Sequence, residues 1–176
     1  EEILAEAEAW TEEEIREAID EAREKPSDGA EVETENPDDP LAGISEGQVR
    51  GLPVPVRIRL ARNSTRQMRN LLIRDSSAQV ALAVINGNSL PDSEVEQIAN
   101  NRAVLADVLE AINKKREWIR KYSIAKALAK NPRTPAMISV RLVPRLVMRD
   151  LRELARDKNV PDAVRSTALR LYQAKR

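Results

Sequence analysis

The residues of this chain best suited to chemistry are cations. Lys114, Lys115, Arg116, Arg120 and Lys121 crowd one short stretch, and Arg141, Arg145, Arg149, Arg152 and Arg156 recur at steps of 4, 4, 3 and 4. A guanidinium presents a planar fork of N–H donors that fits a carboxylate or a phosphate, and a lysine adds a compact point charge. Arginines at this spacing form a ridge if two successive helices carry them on one side, since Pro144 interrupts a single helix. The chemistry expected is recognition of an anion. The plainer alternative is a solvated helix face with local pairs to neighbours such as Glu153 or Asp157.

Charge along the chain favours the first reading. Residues 1–49 hold 3 basic and 18 acidic residues, a net of −15, whereas residues 50–176 hold 26 basic and 11 acidic ones, a net of +15. An excess of that size goes beyond what local pairing neutralises. The expected partner is an acidic protein segment, with the chain's own residues 1–49 as one candidate, and nucleic-acid phosphates are the alternative. Base stacking asks for exposed aromatics, and the basic part offers only Trp118, Tyr122 and Tyr172. Trp118 and Tyr122 lie four apart on one helix face, the spacing of core residues. No pattern suggests the lined pocket that base flipping needs.

Catalysis has little to work with. The chain has no Cys and no His, which excludes disulfides, thiolate metal sites, thiol nucleophiles and imidazole acid–base chemistry. No phosphate-binding glycine loop or nucleophile motif occurs. Asp75 and Asp150 each follow an arginine, as ion-paired residues do. No catalytic residue, cofactor or metal is therefore expected. No apolar run approaches a membrane span, and the absence of cysteine suits a cytoplasmic location. Because the chain opens on Glu1 rather than Met, trimming is expected and the lack of a leader says little.

The elements that must position these cations are helices. Aromatics make up 2% of the chain, with no Phe, so a core must come from Leu, Ile, Val and Ala. Thr11-Glu12-Glu13-Glu14 is a capping box opening a short acidic helix with Ile15, Ala18, Ile19 and Ala22 on one face. Residues 26–50 read as a flexible acidic linker. Within it, Glu33, Glu35, Asp38 and Asp39 lack the order of ligands of a calcium loop and read as solvated charge. From residue 51 on, helices are predicted at 53–62, 65–74, 76–86, 92–100, 103–113, 116–130, 135–146, 149–156 and 161–175. Asn63, Asn86, Asn113 and Asn131 sit where a residue in the left-handed conformation closes a helix. The expected core comprises Leu60, Leu72, Val80, Leu82, Val84, Val95, Ile98, Leu105, Val108, Leu109, Ile112, Ile119, Ile124, Leu128, Leu142, Leu151, Leu154, Val164, Ala168 and Leu171.

Segments also match one another: Leu60-Ala61-Arg62-Asn63 parallels Leu128-Ala129-Lys130-Asn131. The stretch Leu128-Ala129-Lys130-Asn131-Pro132-Arg133-Thr134-Pro135 resembles the helix junctions of HEAT and leucine-rich-repeat-variant proteins. With Leu72-Ile73-Arg74-Asp75, Arg116-Glu117-Trp118 and Tyr122, and Lys158-Asn159-Val160-Pro161, residues 50–176 resemble a bacterial HEAT-like family. The resemblance implies an all-α fold, an irregular α-solenoid of paired short helices, and no particular activity. The organisation expected is an acidic helical segment at 1–25, a linker at 26–50 and a basic helical-repeat domain at 51–176.

Overall fold

The computed structural model describes residues 2–31, 41–62 and 64–175. Among these the regular structure is all-helical, as expected: thirteen α-helices and one 3-10 turn, with an isolated β-bridge between Glu31 and Ser45. The helices form two compact units, Glu1–Asn88 and Ser89–Arg176.

In the first unit, α1 (Glu2–Ala9) lies against α4 (Val54–Ala61), which also packs on α5 (Arg66–Leu72) and α6 (Ala78–Gly87). The capping box opens α2 (Glu12–Arg23) as predicted: the Glu14 amide donates to Thr11 Oγ1 at 3.2 Å and the Thr11 amide to Glu14 Oε2 at 2.7 Å. A twelve-residue helix is marginal alone. Here it buries Ile19 and Ala22 and packs on α3 (Glu46–Gly51).

Helix α3 falls inside the stretch read as linker. A second capping box starts it, with the Ser45 amide donating to Gln48 Oε1 at 2.8 Å, while Gln48 Nε2 donates to the Lys25 carbonyl at 2.9 Å and so closes the end of α2. Ile44 and Val49 are fully buried beside it. Two apolar residues in an acidic, glycine-bearing stretch are too weak a period to announce a helix. Chain segment 28–30 crosses the first turn of α3, accepting from Gly47 N at 2.8 Å and Glu46 N at 2.9 Å. A Cβ on Gly47 would stand 2.5 Å from the Asp28 carbonyl oxygen, so only glycine fits there. Glu33, Glu35, Asp38, Asp39 and Asn63 lie outside the described residues.

The second unit holds α7 (Asp92–Asn100), α8 (Ala106–Lys114), α9 (Arg116–Ile119), α10 (Tyr122–Lys130), α11 (Ala136–Leu142), a 3-10 turn (Val143–Arg145), α12 (Met148–Leu154) and α13 (Asp162–Ala174). Each of α7, α10 and α12 packs against the helix that follows it. The stretch predicted as one helix over 116–130 is two, broken where Lys121 takes an extended ψ of 124°. Neither Gly nor Pro marks that break. The helix predicted over 135–146 ends at Leu142, where Pro144 converts the chain to the 3-10 turn.

Fifteen of the twenty expected core residues are buried, and the other five, Leu60, Leu82, Leu105, Ile119 and Leu171, are half-buried. Asn131 closes α10, but not in the left-handed conformation: its φ is −77° and its ψ 120°. Instead its buried amide reaches across to the end of α7, donating to Ala99 O at 2.8 Å and Asn101 O at 3.0 Å. In the first unit this role falls to Asn88, two residues beyond the expected Asn86. Asn88 Nδ2 donates to Ala61 O at 2.7 Å and Val84 O at 2.9 Å. Asn86 is exposed within α6, and Asn113 lies within α8.

The two asparagines therefore behave differently on substitution. Asn131→Ala leaves buried carbonyls without donors and should cost about 1–3 kcal/mol. Asn86→Ala removes nothing buried and should change stability by no more than about 0.5 kcal/mol. Urea denaturation of the two variants, followed by circular dichroism, checks the difference.

Candidate functional site

The second unit is where the cations collect. It carries 19 basic and 10 acidic residues, a net of +9, against 10 basic and 19 acidic in the first unit. All ten residues singled out from the sequence lie in it. The five spaced arginines fall on successive elements about Pro144: Arg141 lies in the last turn of α11, Arg145 ends the 3-10 turn, Arg149 and Arg152 sit on α12, and Arg156 follows it.

The structure joins the two clusters at one seam. Arg145 Nη2 donates to the Arg120 carbonyl at 3.5 Å, and two residues further along both segments the Val147 amide donates to Tyr122 Oη at 3.1 Å. These two contacts bring segments 120–122 and 145–147 together where α10 and α12 begin. Arg120, Lys121, Arg145 and Arg149 are all exposed around that seam.

Several of the other cations are engaged. Lys121 Nζ is 2.9 Å from Asp92 Oδ2, Lys115 Nζ stands over the Trp118 ring at 4.3 Å, and Arg141 points to Met137 Sδ at 3.9 Å. Arg149 Nε is 3.8 Å from Asp150 Oδ1. Lys114, Arg116, Arg152 and Arg156 are exposed and make no ion pair among the described residues. The expectation that Trp118 and Tyr122 share a core face is half right. The break between α9 and α10 leaves Trp118 buried and Tyr122 40% exposed.

Sequence reasoning missed what holds the seam. Asp150 is completely buried at the start of α12. Its Oδ2 accepts from Tyr122 Oη at 2.5 Å, and Lys126 Nζ stands 2.9 Å from its Oδ1. One turn further along, Lys130 Nζ meets Glu153 Oε2 at 2.6 Å. Burial opposes the Asp150 charge. Hydrogen bonds from Tyr122 and Lys126, with the charges of Lys126 and Lys130, outweigh it and hold the carboxyl below the ordinary aspartate range. Burial and the bond to Asp150 push the Tyr122 hydroxyl up. The local sign in the sequence is Arg149 next to Asp150, which marks Asp150 as an ion-paired residue, as it is, without pointing to Tyr122 or Lys126.

Elsewhere, the first unit has a cleft of about 540 Å³ lined by Leu4, Arg62, Gln79, Leu82, Ala83, Asn86 and Gly87. Its charged lining residue, Arg62, is 3.6 Å from Glu8 of α1. Among the described residues no group of three or more Asp and Glu side chains is placed to hold a metal ion, and no helix is long and apolar enough to cross a membrane.

The lowered Asp150 value sets a direction for pH dependence. A depressed folded-state pKa contributes stability above the unfolded value and loses it as pH falls through the folded one. Acid should therefore destabilise the second unit below about pH 4, the ordinary aspartate value. Asp150→Asn should be less stable at neutral pH and lose less on acidification. Thermal melts of both proteins from neutral to acid pH check this.

No protein-family model, curated protein or solved structure matches the chain.

Proposed function

We propose that this chain is a non-catalytic interaction module, an adaptor or scaffold of irregular HEAT-like helical repeats, whose second unit binds an acidic protein segment. The observation that carries this reading is the seam at which Arg145 meets Arg120. There the Arg145 side chain reaches the Arg120 backbone carbonyl, so two clusters some 25 residues apart in the sequence meet, with Arg120 and Arg145 both exposed. Carboxylates suit such a surface because a guanidinium pairs with them through two parallel N–H donors. Paired helices in succession leave extended faces open to a partner, as helical repeats do.

Two candidate ligands fit less well. In residues 1–49 of the chain itself the carboxylates of α1 and α2 are exposed, but the apolar face that would accompany them already buries Ala7, Ile19 and Ala22 in the first unit. Nucleic acid has its phosphates matched, but with Trp118 buried the seam offers a stacked single strand, among the described residues, only the half-exposed ring of Tyr122.

The test uses the full chain with two probes, an oligoglutamate peptide and a short random duplex DNA, each titrated with salt. The peptide should bind, more weakly as salt rises. Charge reversal by Arg120→Glu with Arg145→Glu should weaken it roughly tenfold or more, while Arg170→Glu on α13 should not. Tighter binding of the duplex, with a steep salt slope that the reversal abolishes, would replace the acidic protein by a phosphate backbone as the ligand.

A further inference from the structure

We infer that the seam selects an acidic segment in which an apolar side chain stands among the carboxylates. This rests on the function proposed for the seam and names the partner more closely. Large apolar side chains exposed in the described residues are Leu4, Tyr122, Met137, Val147 and Leu169. Of these, Tyr122 and Val147 are bonded to each other, the Val147 amide donating to Tyr122 Oη at 3.1 Å. Val147 is 51% exposed and Tyr122 40%. They sit two residues beyond Arg145 and Arg120 respectively, so the apolar pair lies along the same seam as the guanidiniums.

The pair is also fixed. Tyr122 Oη uses its proton on Asp150 at 2.5 Å and a lone pair on Val147 N, so its phenol is bound at the far end. Its ring cannot turn away without unpairing a buried carboxylate, which makes it a rigid contact that loses little entropy on binding. A tyrosine and a valine framed by arginines have the makeup of a binding hot spot, in which aromatic and Arg side chains dominate. The charge complement is an acidic chain, and the apolar complement is one Leu, Ile or Phe within it. A phosphate backbone would meet the cations and leave Val147 uncovered.

The experiment compares two peptides of equal charge on the full chain by fluorescence anisotropy: acidic residues flanking a central Leu, and the same peptide with Ser in its place. The Leu peptide should bind roughly fivefold tighter, the gain from covering one aliphatic side chain. Val147→Ser should erase that advantage and leave the Ser peptide unchanged. Val147 is the N-terminal cap of α12, where serine is a favoured residue, so this variant keeps the helix. Equal affinity for the two peptides, both bound, would overturn the apolar selection and leave acidic-segment binding standing. Failure of both peptides to bind would overturn both.

Discussion

A carboxylate taken out of water must find partners, because its desolvation costs several kcal/mol unless hydrogen bonds and an opposite charge replace the solvent. Asp150 is such a group, and the second unit is arranged around meeting its needs. Tyr122 and Lys126 on α10 supply the proton donor and the cation, which ties α10 to the start of α12. Arg120 and Arg145 come two residues before Tyr122 and Val147, beside that tie. The candidate site thus adjoins a buried ionic contact.

The first unit repeats the device with different residues. Arg57 Nη1 on α4 donates to Asp75 Oδ2 at 2.5 Å, with both side chains buried, and Asp75 Oδ1 accepts from the Ser77 amide at 2.8 Å ahead of α6. A core of Leu, Ile, Val and Ala is non-directional and lets helices slide past one another at small cost. Polar contacts across helices set their positions instead. Asn131 ties α10 to α7, Asn88 ties α6 to α4, and Gln48 ties α3 to α2.

Much of this architecture is legible in the order of residues alone. Helical period places α7 at 92–100, and the capping box starts α2 at its observed residue. The buried residues follow the same period closely, because a helix with one apolar face has one way to dry it. What the sequence hides is long-range or unmarked. Nothing local announces the break before Tyr122, the burial of Asp150, or the choice of Asn88 over Asn86. Each is decided by a partner about 25 or more residues away. Pro144 divides the spaced arginines among α11, the 3-10 turn and α12, with Arg156 beyond them, and the spacing alone does not show which of these elements meets Arg120.

The central claim is that the two cationic clusters meet at Arg120 and Arg145. The chain has no cysteine, so Arg120→Cys with Arg145→Cys places nitroxide labels at these two positions alone. The account predicts strong dipolar broadening in the spectrum of the doubly labelled full chain. A spectrum equal to the sum of the two singly labelled proteins would mean that the segments lie apart, and would contradict it.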